Sequence, residues 1–97
     1  MQMLIECRAF ETIVGDMVAK LQHDVGATLQ RVTTSGKMVA GGVFADGRGI
    51  FLLMNITEPS DLFDLLGVEI YDSCRIDIHP IISFEKLGEF FAKIGTK

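Results

Sequence analysis

The residues of this chain whose types could do chemistry fall in two short alternating runs. Within Met3–Ala9, the residues Leu4, Glu6 and Arg8 alternate with Met3, Ile5, Cys7 and Ala9. Within Tyr71–His79, the residues Arg75, Asp77 and His79 alternate with Cys74, Ile76 and Ile78. Alternation with period two marks a half-buried strand, so each run places its polar members on one face. On neighbouring strands these side chains would form one patch holding two arginines, two carboxylates and an imidazole. His79 or Glu6 could then move a proton, and Arg8 or Arg75 could hold a carboxylate through paired N–H donors. Asp77 and Asn55, the latter at the polar end of a third strand, complete the candidate ligand-binding set. The same charges could instead satisfy one another as a cross-strand ladder at a seam between two copies, and such pairing is routine on neighbouring strands.

The other reactive side chains carry less. Cys7, Cys74, His23 and His79 are the candidate metal ligands by type. Cys74 and His79 are an odd number of residues apart on one strand and so point to opposite faces. No paired-ligand spacing of the zinc kind is present, so no metal or other cofactor is expected. Both cysteines read as buried free thiols, the usual behaviour of that residue. Gly41-Gly42 and Gly47-Arg48-Gly49 lack the strand–loop–helix context and the Lys-Ser/Thr ending of a phosphate loop. They read as bulge and turn geometry. His23 reads as a solvated residue on a helix.

The elements that must position the patch follow from periodicity. Met3–Ala9 is expected to be the first strand. Glu11 to about Thr33 reads as a helix, with Val14, Met17, Val18, Leu21, Val25, Leu29 and Val32 at spacings of three and four. Gly15 and Gly26 weaken it, Gly26 leaves room for a break, and a stop is expected at Ser35-Gly36. Met38–Phe44 and Ile50–Ile56 read as two strands joined by a tight hairpin, because Asp46-Gly47 is favoured turn chemistry. Pro59, Ser60 and Asp61 open a short helix carrying Leu62, Phe63, Leu65 and Leu66, with Gly67 as its cap. Tyr71–His79 reads as the fourth strand, ended by Pro80. Phe84–Ile94 reads as a last helix with Leu87, Phe90, Phe91 and Ile94 on its core stripe and Ser83 as N-cap. The order β-α-β-β-α-β-α begins as the ferredoxin-like split βαβ arrangement. It implies one α+β domain over residues 1–97. Its four-stranded antiparallel sheet should run in the order 4-1-3-2, with helices on one face and a C-terminal helix added.

The stretches GKMVAGGVFADGRGIFLLMNITEPSDLFDLL (Gly36–Leu66) and YDSCRIDIHPI (Tyr71–Ile81) resemble the dimeric α+β barrel superfamily, in particular its short muconolactone-isomerase-like members and related small proteins of unknown function. The likeness lies in the succession strand, Gly-containing turn, strand with polar end, Leu/Phe helix, and strand closing on Pro. It covers about half of the chain. It implies a homodimer in which two sheets pair face to face into a barrel. Some members are isomerases, oxygenases or decarboxylases acting on small organic molecules. No residue set of those enzymes maps onto this chain.

Composition bounds the remaining choices. Of 97 residues, 48% are hydrophobic and the mean hydropathy is +0.35, a large apolar load for one small domain. Part of that load is expected to meet a second chain. Leu4, Phe51 and Leu53, on the face that the helices leave open, are the expected homodimer interface. Thirteen acids against nine bases, with the bases scattered, exclude a nucleic-acid footprint. No apolar stretch is long enough to span a membrane. With no secretory leader pattern and two unpaired cysteines, a cytoplasmic location is expected. No nucleophile, base and orienting group can be named together, so the favoured function is a homodimeric binding or interaction module. The alternative is a small-molecule enzyme, isomerase- or oxygenase-like, acting on a small organic anion inside the barrel.

Overall fold

The computed structural model describes residues 1–95. Strand β1 (Gln2–Ala9) turns Met3, Ile5 and Cys7 inward, as its alternation requires. It pairs antiparallel on both sides. On one side Leu4 faces Leu53 of β3 (Gly49–Asn55), and on the other it faces His79 of β4 (Cys74–Ile81). β2 (Met38–Val43) adds to the outer edge of β3, with an irregularity between Met38 and Ala40. The sheet order β2-β3-β1-β4 is the expected 4-1-3-2 read from the other edge. The β2–β3 hairpin closes as its Asp-Gly pair requires. Gly47 adopts φ 71°, its N–H donates to the Phe44 carbonyl at 2.9 Å, and the Arg48 N–H donates to Asp46 Oδ1 at 2.9 Å.

The helices lie on the face carrying Met3, Ile5, Leu52 and Met54, and with Ile56, Leu62, Leu66 and Ile70 these residues make the core. Helix α1 (Met17–Ser35) ends on Gly36, whose left-handed φ of 71° suits a C-terminal cap. Its buried residues are Asp24, Thr28 and Val32, a stripe at i, i+4, i+8 that meets α2 (Asp61–Leu66) and α3 (Ile70–Ser73). The Thr28 hydroxyl donates to the Leu66 carbonyl. Arg31 donates from Nε to the Leu65 carbonyl at 3.0 Å and from Nη2 to the Leu66 carbonyl at 2.8 Å. The last carbonyls of α2 are thus satisfied by α1 side chains rather than by a continuing chain.

Several boundaries differ from the sequence expectation. The first helix starts at Met17, not Glu11. Gly15 at φ 59° takes the chain through a turn, and Val14 is exposed. Gly26 lies within an unbroken helix. Tyr71 belongs to α3, so the fourth strand begins at Cys74. Pro80 does not end that strand, because β4 is an edge strand and can hold a residue without an N–H. The largest difference is at the C-terminus. A 3-10 turn (Phe84–Lys86) and α4 (Leu87–Gly95) bury none of their residues. Phe90 and Phe91, expected in the core, are exposed. They contact each other, ring to ring at 5.9 Å, and the segment carrying them stands off the sheet.

The core assignment is testable. Ile5 is fully buried on the central strand, so Ile5→Ala should lower the unfolding free energy by about 2–5 kcal/mol in urea denaturation. Gly67 sits at φ 80° against the Arg31 guanidinium. Gly67→Ala should therefore cost more than about 1 kcal/mol, through backbone strain and a loosened hold on α1.

Candidate functional site

The structure places the sequence-selected residues on the open face in three cross-strand rows. One row runs His79, Leu4, Leu53, Ala40; the next runs Asp77, Glu6, Phe51, Gly42; the third sets Arg75 beside Arg8 and Gly49. Glu6, Arg8, Arg75, Asp77 and His79 are thus brought onto neighbouring strands, as the alternation requires. Asn55 is not brought to the arginines. It pairs with Gln2, about 20 Å along β3 from the row of Arg8.

The register also sets like charges opposite one another, Glu6 against Asp77 and Arg8 against Arg75. Direct opposition of like charges is unfavourable, so each arginine finds its partner elsewhere. Arg75 Nε lies 3.2 Å from Asp77 Oδ2 on its own strand. Arg8 Nη1 reaches Asp46 Oδ2 in the hairpin at 2.8 Å, and its guanidinium covers the Phe44 ring at 4.6 Å. The Arg48 N–H and then the Arg8 guanidinium hold the Asp46 carboxyl below the usual carboxylate range. His79 Nε2 and Glu6 Oε1 are 4.0 Å apart. Beyond the charges, Phe51 and Leu53 make a half-buried apolar patch on the same face.

A concave site lies on the other side of the sheet. Between the N-terminal half of α1 and the sheet is a cavity of about 350 Å³. Leu21, Val25 and Leu29 form its helix wall, Cys7, Ile50 and Cys74 its floor, and the β2–β3 hairpin its rim. Its lining is mostly apolar, and its polar contributors are Gln22 and Arg48. Arg48 is held in place by donating from Nη2 to the Phe10 carbonyl at 2.7 Å and from Nη1 to the Ile13 carbonyl at 3.3 Å. A cavity of this size lies within the range of small-molecule sites.

Glu6, Arg8, Asn55, Arg75, Asp77 and His79, the candidate site residues of the sequence, do not line this cavity, whereas Cys7 and Cys74, read as buried thiols, form its floor. Its cause is nonetheless in the sequence. The inward residues at one end of the sheet are uniformly large, Met3, Ile5, Leu52 and Met54, whereas at the other end Ile50 and Ile76 stand among the small Cys7, Ala9 and Cys74. A straight helix laid over both ends fills one and spans the other. The apolar stripe of α1 was legible, but whether Leu21, Val25 and Leu29 meet atoms or space depends on where the helix is anchored.

The two thiols on the floor are protonated. Burial, and to a smaller degree the neighbouring Cys74, pushes the Cys7 thiol up to about 12. Burial and then the Asp24 charge raise that of Cys74. The thiolate is the nucleophile, so neither cysteine is poised to attack. Among the described residues no buried side-chain nitrogen or oxygen lacks a partner, and no three His, Cys, Asp or Glu residues gather as a metal ion would need. The site is therefore suited to enclosing an apolar body, with Gln22 and Arg48 able to meet oxygen atoms at its edge.

Comparison with known proteins bears on the fold. No family model matches the chain, and no curated protein matches it. Among solved structures it is similar to 5-chloro-2-hydroxyhydroquinone dehydrochlorinase (TftG) from Burkholderia phenoliruptrix AC1100, determined in complex with 2,5-dihydroxybenzoquinone. The TM-score is 0.65 at 13% sequence identity, over 88% of this chain and 97% of that one. The likeness shows a shared fold. Among the described residues no helix is long and apolar enough to cross a membrane.

The thiol assignment has a direct check. Iodoacetamide at pH 8 should leave Cys7 and Cys74 unmodified in the folded protein and alkylate both in urea, as read by intact mass. Rapid labelling of either thiol in the folded state would contradict the burial that raises them.

Proposed function

We propose that the chain is a homodimeric small-molecule-binding domain of the dimeric α+β barrel superfamily. The α1–sheet cavity would hold a compact aromatic or quinonoid ring bearing oxygen substituents. The cavity carries this reading. At about 350 Å³ it exceeds the roughly 150 Å³ in which an apolar protein cavity accommodates benzene. Its walls match a ring, and Gln22 and Arg48 match oxygens at the ring's edge. The solved complex of a protein with the same fold with 2,5-dihydroxybenzoquinone points to the same class of ligand.

Sheet pairing in the homodimer rests on Leu4, Phe51 and Leu53, half-buried within one copy and covered by a second. The charged rows Glu6, Arg8, Arg75, Asp77 and His79 would then border the seam. There the surplus of like charge across β1 and β4 could be matched by the partner's side chains. Binding is favoured over catalysis, because the reactive groups on the cavity floor are protonated thiols. The second reading is an enzyme acting on the bound ring, and the dehydrochlorinase of the same fold is the observation in its favour. In that reading His79 or Glu6, or a group supplied by the second copy, would have to move the proton.

The test is calorimetry with 2,5-dihydroxybenzoquinone on the intact protein and two variants. Val25→Phe puts a ring into the cavity and should abolish binding while the far-ultraviolet circular dichroism is unchanged. Arg8→Ala with Arg75→Ala should leave binding within about twofold. The reverse pattern would move the ligand to the open face. Sedimentation should give a dimer for the intact chain and a monomer for Leu53→Glu, which sets an unpaired charge in the seam. A monomer of 10.7 kDa for the intact chain at micromolar concentration would remove the homodimer.

A further inference from the structure

The C-terminal segment is an amphipathic arm with no seat on its own body. Phe84, Phe90 and Phe91 are 91%, 50% and 60% exposed, and Leu87 and Ile94 are exposed beside them. The radius of gyration is 15.9 Å, against about 12.5 Å for a compact domain of this length. The molecule extends 55 Å along one axis and 28 and 21 Å along the others. An apolar stripe left in water across nine helical residues is not a stable end state for a monomer.

We propose that the arm of one copy lies on a second copy of this chain, across the mouth of its α1–sheet cavity. The inference rests on the reading of that cavity as the ligand site. Two complementary features of the chain are held apart within it. The cavity floor is at the Cys74 end of β4, and the arm leaves from the Ile81 end. Seven residues of strand separate them by about 23 Å. The arm does not cross that distance in the structure, and its phenylalanines are left exposed. Between two copies the exchange is reciprocal, the arrangement that closes a two-fold dimer.

Area and charge both favour a second copy as the occupant. The three exposed phenylalanines present on the order of 400 Å² per arm. Two arms and the surfaces they cover then bury roughly 1,600 Å², the size of a standard stable interface. The rim has apolar surface to meet them, because Val43 and Leu29 are both exposed. The arm's charged residues Glu85, Lys86, Glu89 and Lys93 balance, and Lys86 Nζ lies 3.9 Å from Glu89 Oε2. A helix held at an anionic lipid surface carries a basic polar face, which this one does not.

The experiment mixes ¹⁵N-labelled and unlabelled full-length chains and treats them with an amine-reactive cross-linker. Cross-links between heavy and light chains joining Lys86 or Lys93 to Lys20, next to Leu21 on the cavity wall, are expected. Cross-links from the arm only within one chain would overturn the proposal. A chain ended after Ser83 should keep its sheet by circular dichroism and lose at least tenfold in dimer affinity, and an unchanged dimer would overturn it. Vesicle binding by the full chain with the dimer constant unaffected by the truncation would also overturn it, in favour of a lipid surface. Inter-chain cross-links in a protein that binds no quinone would uphold the arm and remove the ligand reading. Quinone binding with intra-chain cross-links alone would do the reverse.

Discussion

The grip of α1 on the end of α2 determines most of what is distinctive here. Thr28 and Arg31 donate to the carbonyls of Leu65 and Leu66, which α2 leaves open when the chain turns away at Gly67. Only a glycine suits that turn, because φ there is 80° and the Arg31 guanidinium fills the space of a side chain. The contact fixes the rotation of α1. Asp24, Thr28 and Val32 face the short helices, so the stripe Leu21, Val25, Leu29, about 60° around the helix, hangs over the small residues at one end of β1 and β4. The second helical layer amounts to six residues of α2 and four of α3, too little to close that flank. The cavity follows from a strong local anchor at one end and missing volume at the other.

The two faces of the sheet are consequently different kinds of surface. The helix-covered face carries the large core at one end and the cavity at the other. The open face is divided across its strands, charged on β4 and β1 and apolar on β3 and β2. Its charges are met locally, Arg75 by Asp77 and Arg8 by Asp46, so it is not primed with a free guanidinium. These are exposed pairs of small energetic weight, and beside them Phe51 and Leu53 are the half-buried apolar part of the face.

The strand pattern made much of this legible. Alternation in Met3–Ala9 and Tyr71–His79 was enough to predict which residues share a face, and the succession β-α-β-β-α-β, matched to the ferredoxin-like arrangement, placed the four strands in order. The helices were less legible, because apolar spacing says that a stripe exists without saying what it meets. Leu21 and Val25 line a void, and Phe90 and Phe91, on an equally good stripe, face water. Charge pairing was less legible for a related reason. Sharing a face is fixed by period two, but the one-residue register that sets Glu6 against Asp77 and Arg8 against Arg75 is a property of two strands together. The edge position of β4, which lets Pro80 remain in the strand, is likewise visible only in the assembled sheet.

The central claim is that the ligand lies beneath α1 and not on the open face. Methyl-resolved NMR on the isotope-labelled intact protein, titrated with 2,5-dihydroxybenzoquinone, separates the two most directly. The methyl groups of Leu21, Val25, Val43 and Ile50 should shift with a common saturation curve while those of Leu4 and Leu53 stay in place. Shifts confined to Leu4 and Leu53 would contradict the account and return the site to the charged rows of β1 and β4.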